Sequence, residues 1–279
     1  MPEGDTVHRQ AALLRRALAG QVLTRSDLRF PSIATADLSR RTVTEVVPRG
    51  KHLLIRLDGG PEGLAPLSLH SHLLMEGMWH VYPRGARWRR PAYQARAVLE
   101  TETAQAVGFD LGMLDLLATA DEADVVGHLG PDLLGPDWDR AQALARLGRH
   151  PSRAVAAAIM DQRNLAGIGN VYRNELLFLR RLHPFTAVED VPDLGALVDL
   201  AHRLLHANRD RAQRSTVGGP ARRGEQFWVY GRARQPCRRC GARITEARID
   251  DAELVPGQPY PGPPRDRPLW FCARCQAQR

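Results

Sequence analysis

The residues with the clearest capacity for chemistry stand at the front of the chain, Met1-Pro2-Glu3-Gly4-Asp5-Thr6. Initiator methionine is generally removed when a residue as small as proline follows it. The mature chain is therefore expected to begin with the secondary amine of Pro2. Such an amine can attack an aldehyde-like sugar carbon and form an iminium without first losing a second proton. It is nucleophilic only when neutral, and a terminal α-amino group titrates near about 7.7–8.0 in peptides. Glu3 places a carboxylate beside it to move protons. Taken alone, the stretch also fits an ordinary frayed terminus.

Two further groups change that balance. Of the 39 basic residues, Lys51 is the only lysine, in Arg49-Gly50-Lys51-His52. A GC-rich genome accounts for the arginines but not for the one lysine kept, and a compact ammonium differs from a planar guanidinium as a ligand for anions. Lys51 is also an amine and stands with Pro2 and Glu3 as a catalytic candidate. The four cysteines form two CxxC pairs, Cys237/Cys240 and Cys272/Cys275, with none left for a disulfide framework. That spacing reads as a closed tetrahedral zinc site holding one structural ion in a reducing cytoplasm.

The elements that must position these residues follow from periodicity. Val7, Ala11, Leu14 and Leu18 recur at helical spacing, with Asp5 or Thr6 as the start and Gly20 as the stop. The positive end of this helix would face the Pro2 amine and favour its neutral form. Residues 21–115 read as short strands, among them 43–47, 53–57 and 95–99, with no helical pattern between consecutive strands. A β-sandwich or barrel fits better than βαβ alternation. Between two strands lies His70-Ser71-His72-Leu73-Leu74-Met75-Glu76-Gly77, whose two histidines lack an evident third metal ligand. After Leu129-Gly130-Pro131 the pattern turns helical, with helices expected over 137–149, 153–160, 171–182 and 193–208. Gly167-Ile168-Gly169-Asn170 is a turn between two of them. Its glycines permit close backbone approach, Asn170 can cap the second helix, and a helix start with free N–H groups suits a phosphate.

Composition agrees. The chain has 279 residues, net charge +8 and 43% apolar content, enough for more than one domain and a substantial core. A pI near 10.0 favours a polyanionic partner, although Asp121-Glu122-Ala123-Asp124 shows a mixed surface. No apolar run approaches the roughly 18–20 residues of a membrane span, and the charged first twenty residues do not read as a signal peptide. Ten arginines between Arg232 and Arg279, with Trp270 and Phe271 among them, suit a finger that touches phosphates.

In this order, Pro2-Glu3-Gly4, Gly50-Lys51-His52, His72-Leu73-Leu74-Met75-Glu76-Gly77, the turn at Gly169-Asn170 and the four cysteines resemble the formamidopyrimidine-DNA glycosylase / endonuclease VIII family, across nearly the whole chain. The resemblance implies an α+β multidomain protein. An N-terminal β-sandwich with an N-terminal helix would occupy residues 1–133, a helix–two-turn–helix DNA-binding domain 134–224, and a C4 zinc finger 225–279. It implies a bifunctional DNA glycosylase and AP lyase of base-excision repair. Pro2 would attack C1′, Glu3 would act as general acid/base, and β,δ-elimination would cut the strand. Lys51, Asn170 and Arg267 would contact phosphates, and Met75 would fill the gap left by the flipped base. The partner would be damaged DNA, duplex or also single-stranded or forked, met by a cytoplasmic, nucleoid-associated monomer. The Arg-Arg-Phe-Gly run of formamidopyrimidine-type members is replaced here by Ala106-Val107-Gly108-Phe109-Asp110, and the stretch from Gly218-Gly219 to Val229 is short. Both point toward the endonuclease VIII branch and oxidised pyrimidines. The interval of 31 residues between Cys240 and Cys272 is longer than usual for the finger. The rival expectation is a catalytically silent, zinc-containing DNA-binding protein of the same fold, against which the presence of both Pro2 and Glu3 counts.

Overall fold

The computed structural model describes residues 2–61, 63–218, 222, 224–250 and 266–278. Two compact units divide at His128/Leu129. Among the described residues no helix is long and apolar enough to cross a membrane.

In the first unit, helix α1 (Gly4–Leu18) buries Val7, Ala11, Leu14 and Leu18, one stripe at helical spacing. Its start differs from the expected caps. Glu3 occupies the N-cap position without a side-chain capping bond, and Asp5 and Thr6 lie inside the first turn. Gly20, with φ +76°, ends it as expected. Two polar ties fix the helix: Gln10 Oε1 accepts from the Trp79 N–H at 2.6 Å, and Arg15 Nη2 donates to the Val46 carbonyl at 2.6 Å.

Eight strands follow: β1 (Arg25–Leu28), β2 (Val43–Arg49), β3 (His52–Leu57), β4 (Leu67–His72), β5 (Met78–Pro83), β6 (Ala95–Glu100), β7 (Ala104–Phe109) and β8 (Met113–Ala118). They form two four-stranded antiparallel sheets, ordered β1-β6-β7-β5 and β2-β3-β4-β8. Side chains alternate across the pleat, so Leu53, Ile55 and Leu57 of β3 join one core with Leu14, Val46, Leu69, Trp79 and Leu99. Each such side chain contributes about 1.5–3 kcal/mol by leaving water. On the outer face of the second sheet, Arg56 holds Glu122 through two bonds of 2.7 and 2.8 Å, and Ser68 Oγ donates to the same carboxylate at 2.6 Å. Glu122 opens α2 (Glu122–Val126), which this cluster ties to the sheet. His70 and His72, expected between strands, belong to β4 itself.

The second unit contains α3 (Arg140–Leu147), α4 (Val155–Ala158), α5 (Asn170–Leu179) and α6 (Leu194–Asn208), followed by the hairpin β9 (Thr245–Asp250) and β10 (Asp266–Phe271). Asp139 and Asp193 cap α3 and α6 through side-chain oxygens. The expected helix over 153–160 shrinks to four residues because its start is extended: Ala154 bridges to Ala187 and the Val155 N–H bonds Thr186 O at 2.8 Å. Leu133, Leu147, Ile159, Tyr172, Leu176, Leu197 and Leu205 form this unit's core.

Candidate active site and metal-binding knuckle

Pro2 stands just ahead of the N-terminus of the 15-residue helix α1, half-buried, and Glu3 beside it is fully buried. The Glu3 carbonyl accepts from the Val7 N–H at 3.0 Å, which fixes the residue against the first turn. Unsatisfied N–H groups at a helix start carry partial positive charge. Pro2 and Glu3 both stand at that positive end of α1.

Lys51 lies on the two-residue turn of the β2–β3 hairpin, because Arg49 and His52 pair directly. The positive φ (+58°) falls on Gly50, the first central residue, where a type II′ turn demands glycine. Beside Lys51 is a group of imidazoles that the spacing of His70 and His72 only half revealed. His52 Nδ1 is 2.8 Å from His70 Nε2, and the His52 ring lies 5.0 Å from that of His72 and 6.2 Å from that of His128. The Asp115 carboxylate is 3.5 Å from His70 Nδ1. Burial pushes His52 down to about 2 and His72 down to about 4, and the Lys51 charge adds to both effects. Burial also lowers His70. His52, His70 and His72 are therefore held neutral at neutral pH and line the Lys51 turn without adding charge. Among the described residues, the only group of three or more potential ligands close enough to hold a metal is the set of cysteines.

Met75 tops the loop from β4 to β5 and is 57% exposed. The neighbouring link from β7 to β8 is only Asp110-Leu111-Gly112, and Phe109 before it is fully buried in the sheet. This turn therefore offers no aromatic wedge.

In the second unit the turn 161–169 is organised by Gln162, which the sequence did not flag. Its Nε2 donates to the carbonyls of Met160 (2.8 Å) and Ile168 (2.9 Å), and its Oε1 accepts from the Gly167 N–H at 3.0 Å. Asn170 is not the cap. Gly169 holds that position, and Asn170 is the first helical residue, 2% exposed. Its side chain turns instead to the finger hairpin, where Nδ2 donates to Pro268 O at 3.1 Å, one residue beyond Arg267. Arg173 donates to the same carbonyl and to Asn170 Oδ1. Asn174, also buried, donates to Asn170 O at 2.6 Å and accepts from the Trp270 N–H at 2.7 Å. One face of α5 thus holds β10, and Asn170 and Arg267 come to the same place. The next residue, Glu175, is fully buried. It accepts from the N–H groups of Trp228, Val229 and Tyr230 at 2.8–2.9 Å and from the Thr216 hydroxyl.

The four sulfurs of Cys237, Cys240, Cys272 and Cys275 lie within 4.8 Å of one another. Cys237–Cys275 and Cys240–Cys272 are 3.9 and 3.5 Å apart, and all four are free thiols. A tetrahedral zinc site with Zn–S near about 2.3 Å requires S···S separations of about 3.8 Å. The donors therefore fit that ion. The Ala242 N–H holds the Cys240 thiol down at about 7, whereas burial pushes Cys275 up to about 12. Four thiolates this close need a cation to exist together. The long interval 251–265 lies outside the described residues, as do 219–221 and 223 of the short loop.

A sandwich headed by Pro-Glu, followed by a helix–two-turn–helix unit bearing a four-cysteine hairpin, defines a class of base-excising DNA repair proteins. The model for the formamidopyrimidine-DNA glycosylase N-terminal domain matches residues 1–112, and the formamidopyrimidine-DNA glycosylase H2TH domain matches residues 129–208. The chain belongs to this formamidopyrimidine-DNA glycosylase / endonuclease VIII family. It is 51% identical to "Probable endonuclease 8 2" of Streptomyces coelicolor over 99% of its own length and 94% of that protein. It is 47% identical to "DNA-(apurinic or apyrimidinic site) lyase Nei2" of Mycolicibacterium smegmatis over 89% of this chain and 94% of that protein. Identity to the formamidopyrimidine-DNA glycosylase of Heliobacterium modesticaldum is 30% over 99% of both chains, so the chain sits nearer to these endonuclease 8 proteins. The fold also matches Lactococcus lactis formamidopyrimidine-DNA glycosylase solved with DNA containing an oxidised pyrimidine, with a TM-score of 0.77, 21% identity and coverage of 99% and 100% of the two chains.

Proposed function

We infer that the protein is a DNA glycosylase and AP lyase of base-excision repair that uses the Pro2 amine as nucleophile and favours oxidised pyrimidines. The observation that carries this reading is the N-terminal proline set against a helix start, with a fully buried carboxylate next to it.

The neutral Pro2 nitrogen donates its lone pair to C1′ of the damaged nucleotide, and the C1′–N bond breaks with its electrons leaving on the base. The nitrogen, now bonded to C1′, sheds its proton to the Glu3 carboxylate, which passes it to O4′ as the C1′–O4′ bond breaks and the sugar opens, and the nitrogen lone pair then closes an iminium with C1′. That iminium acidifies the adjacent C2′ hydrogen. Its removal expels the 3′ phosphate, and a second elimination expels the 5′ phosphate. Lys51, at the tip of a rigid hairpin, supplies a point charge to a backbone phosphate. Asn170 has its side-chain amide committed to Pro268, so within its own unit it offers a phosphate its backbone N–H at the first turn of α5. Arg267 approaches from the adjoining strand. Cys237, Cys240, Cys272 and Cys275 would hold one zinc ion whose role is to fold the hairpin that carries Arg267.

Three features support the pyrimidine preference: identity to endonuclease 8 proteins, the absence of an arginine–phenylalanine wedge in the β7–β8 turn, and Met75 as the exposed wedge. Ring-saturated pyrimidines stack poorly, and flipping them costs less. The test is borohydride trapping on duplexes carrying an abasic site, thymine glycol, or 8-oxoguanine paired with cytosine. A reduced covalent adduct is expected, faster with thymine glycol than with 8-oxoguanine. Pro2→Gly, which keeps an amine but not a secondary one, should lose most of the adduct while still binding DNA. Wild-type trapping by Pro2→Gly would move the nucleophile elsewhere, Lys51 first. No trapping by the wild type would leave a silent DNA-binding protein.

A further inference from the structure

The loop that carries Met75 contains a residue in an unfavourable conformation. Leu74 has φ +50°, in the left-handed region that side-chain-bearing residues rarely enter. Two grips keep it there. Its backbone N–H donates to His72 Nδ1 at 3.0 Å, so the imidazole serves as the acceptor that an Asn or Asp offers two residues ahead in an Asx turn. Its side chain lies across Gly112 of the β7–β8 turn. A β-carbon there would meet Leu74 Cδ1 at 2.2 Å, Cγ at 2.6 Å and Cβ at 2.9 Å. The loop is closed behind by the Gly77 N–H bonding Leu73 O at 2.9 Å, where a β-carbon on Gly77 would sit 2.5 Å from that same oxygen.

We propose that His72 and Gly112 are positioning residues that latch Leu74 and thereby present Met75 as a preset wedge. The proposal rests on the reading of Met75 as the side chain that fills the gap left by the extruded nucleotide. Leu74 is 44% exposed and Met75 57%, so the latch holds the base of the loop and leaves the tip free to enter a base stack. A tip ordered in advance loses less conformational freedom on insertion than a loose one. The bond to Leu74 requires a lone pair on His72 Nδ1, with any ring proton on Nε2. Burial, then Lys51 and His70, push His72 down to about 4, which keeps that lone pair free at neutral pH. The same ring meets His52 edge-on at 5.0 Å, and His52 directly follows Lys51. The wedge and the phosphate-gripping turn therefore share one strut in the sheet.

The test is single-turnover excision of an oxidised pyrimidine from a duplex and from the same sequence as a single strand. Wild type, Met75→Ala, Gly112→Ala, His72→Ala and His72→Asn are compared, because only in the duplex does extrusion leave a gap in a paired stack for the wedge to fill. Gly112→Ala and His72→Ala should slow duplex excision about tenfold and single-strand excision less than about twofold. His72→Asn, whose Oδ1 can take the Leu74 N–H, should recover most of the duplex rate, a rescue that loss of folding would not show. Equal losses on both substrates without rescue by His72→Asn, or no loss on duplex, would overturn the latch. Should Met75→Ala carry a duplex penalty while the latch variants do not, the latch alone fails. No penalty from Met75→Ala removes the wedge reading, and the latch with it.

Discussion

Replacing Asn174 by alanine tests whether α5 sets the position of the finger. Asn174 is 1% exposed and makes two kinds of bond: its Nδ2 donates to Asn170 O at 2.6 Å, and its Oδ1 accepts from the Trp270 N–H of β10 at 2.7 Å. Alanine leaves the Trp270 N–H without this acceptor, which costs about 1–3 kcal/mol where no other partner replaces it, and loss of the Asn170 bond costs about 0.5–1.5 kcal/mol more. The expected destabilisation is about 1.5–4.5 kcal/mol, or roughly 3–18 °C in Tm for a unit of this size. Because β10 carries Arg267, affinity for an abasic-site duplex should fall as well, with a shallower salt dependence. The chemical step, which we propose rests on Pro2 and Glu3, should be unchanged once DNA is saturating. Asn174→Asp separates the two bonds, since it keeps the oxygen that receives Trp270 and loses the donor to Asn170. Affinity should return toward wild type in that variant while Tm remains low. Calorimetry and fluorescence anisotropy read both quantities. An Asn174→Ala protein with wild-type Tm and wild-type affinity would refute the reasoning.

Three further outcomes are expected. Glu3→Gln should slow base excision from intact nucleotides by about 10²–10⁴-fold, the usual worth of general acid/base help, and single-turnover rates equal to wild type would remove Glu3 from the mechanism. Metal analysis should find one zinc per chain, and Cys272→Ser should release it and weaken DNA binding while the circular dichroism of the β-sandwich persists; active protein free of zinc would contradict this. The third outcome concerns pH. His52 and His72 are held below their ordinary 6.5, so the unfolded chain takes up protons first as pH falls. The stability they confer is complete above about 6.5 and declines toward about 4 for His72 and about 2 for His52. Urea midpoints should therefore fall from pH 7 to pH 4, and less steeply in His72→Asn; an unchanged slope in that variant would exclude His72 as a contributor.

Much of the architecture is legible in the sequence because it rests on short-range patterns. The Val7-Ala11-Leu14-Leu18 stripe gives α1, and the β-leaning runs at 43–47, 53–57 and 95–99 fall on β2, β3 and β6. The spacing of the cysteines gives the knuckle. Pairings between distant segments are not legible in this way. Nothing local to Asn170 shows that its amide is spent on Pro268, 98 residues away, and a residue that looks like a cap proves to be a tie to the finger. The imidazole cluster is an intermediate case. In the sequence His70 and His72 stand two apart in a stretch that reads as lying between strands; that they share one face of β4 and meet His52 needs the strand register that only pairing fixes. Leu74 gives no signal at all, since nothing about a leucine announces a left-handed backbone.

The Glu175 carboxylate has a consequence for how this scaffold can diversify. One buried side chain on α5 grips Thr216 on one flank and Trp228 to Tyr230 on the other, so both feet of the intervening segment are pinned to the same helix. With the feet fixed, the closure entropy of a chain running between them depends only weakly on its length. Each doubling of its length costs only about 0.6 kcal/mol of closure entropy. Length can therefore vary at this point while Glu175 keeps its hold on both feet, although Arg238 of the knuckle also bonds the Gly224 and Phe227 carbonyls of the segment. The clasp makes chain length between Thr216 and Trp228 a quantity that can drift while the helix beneath it stays the same.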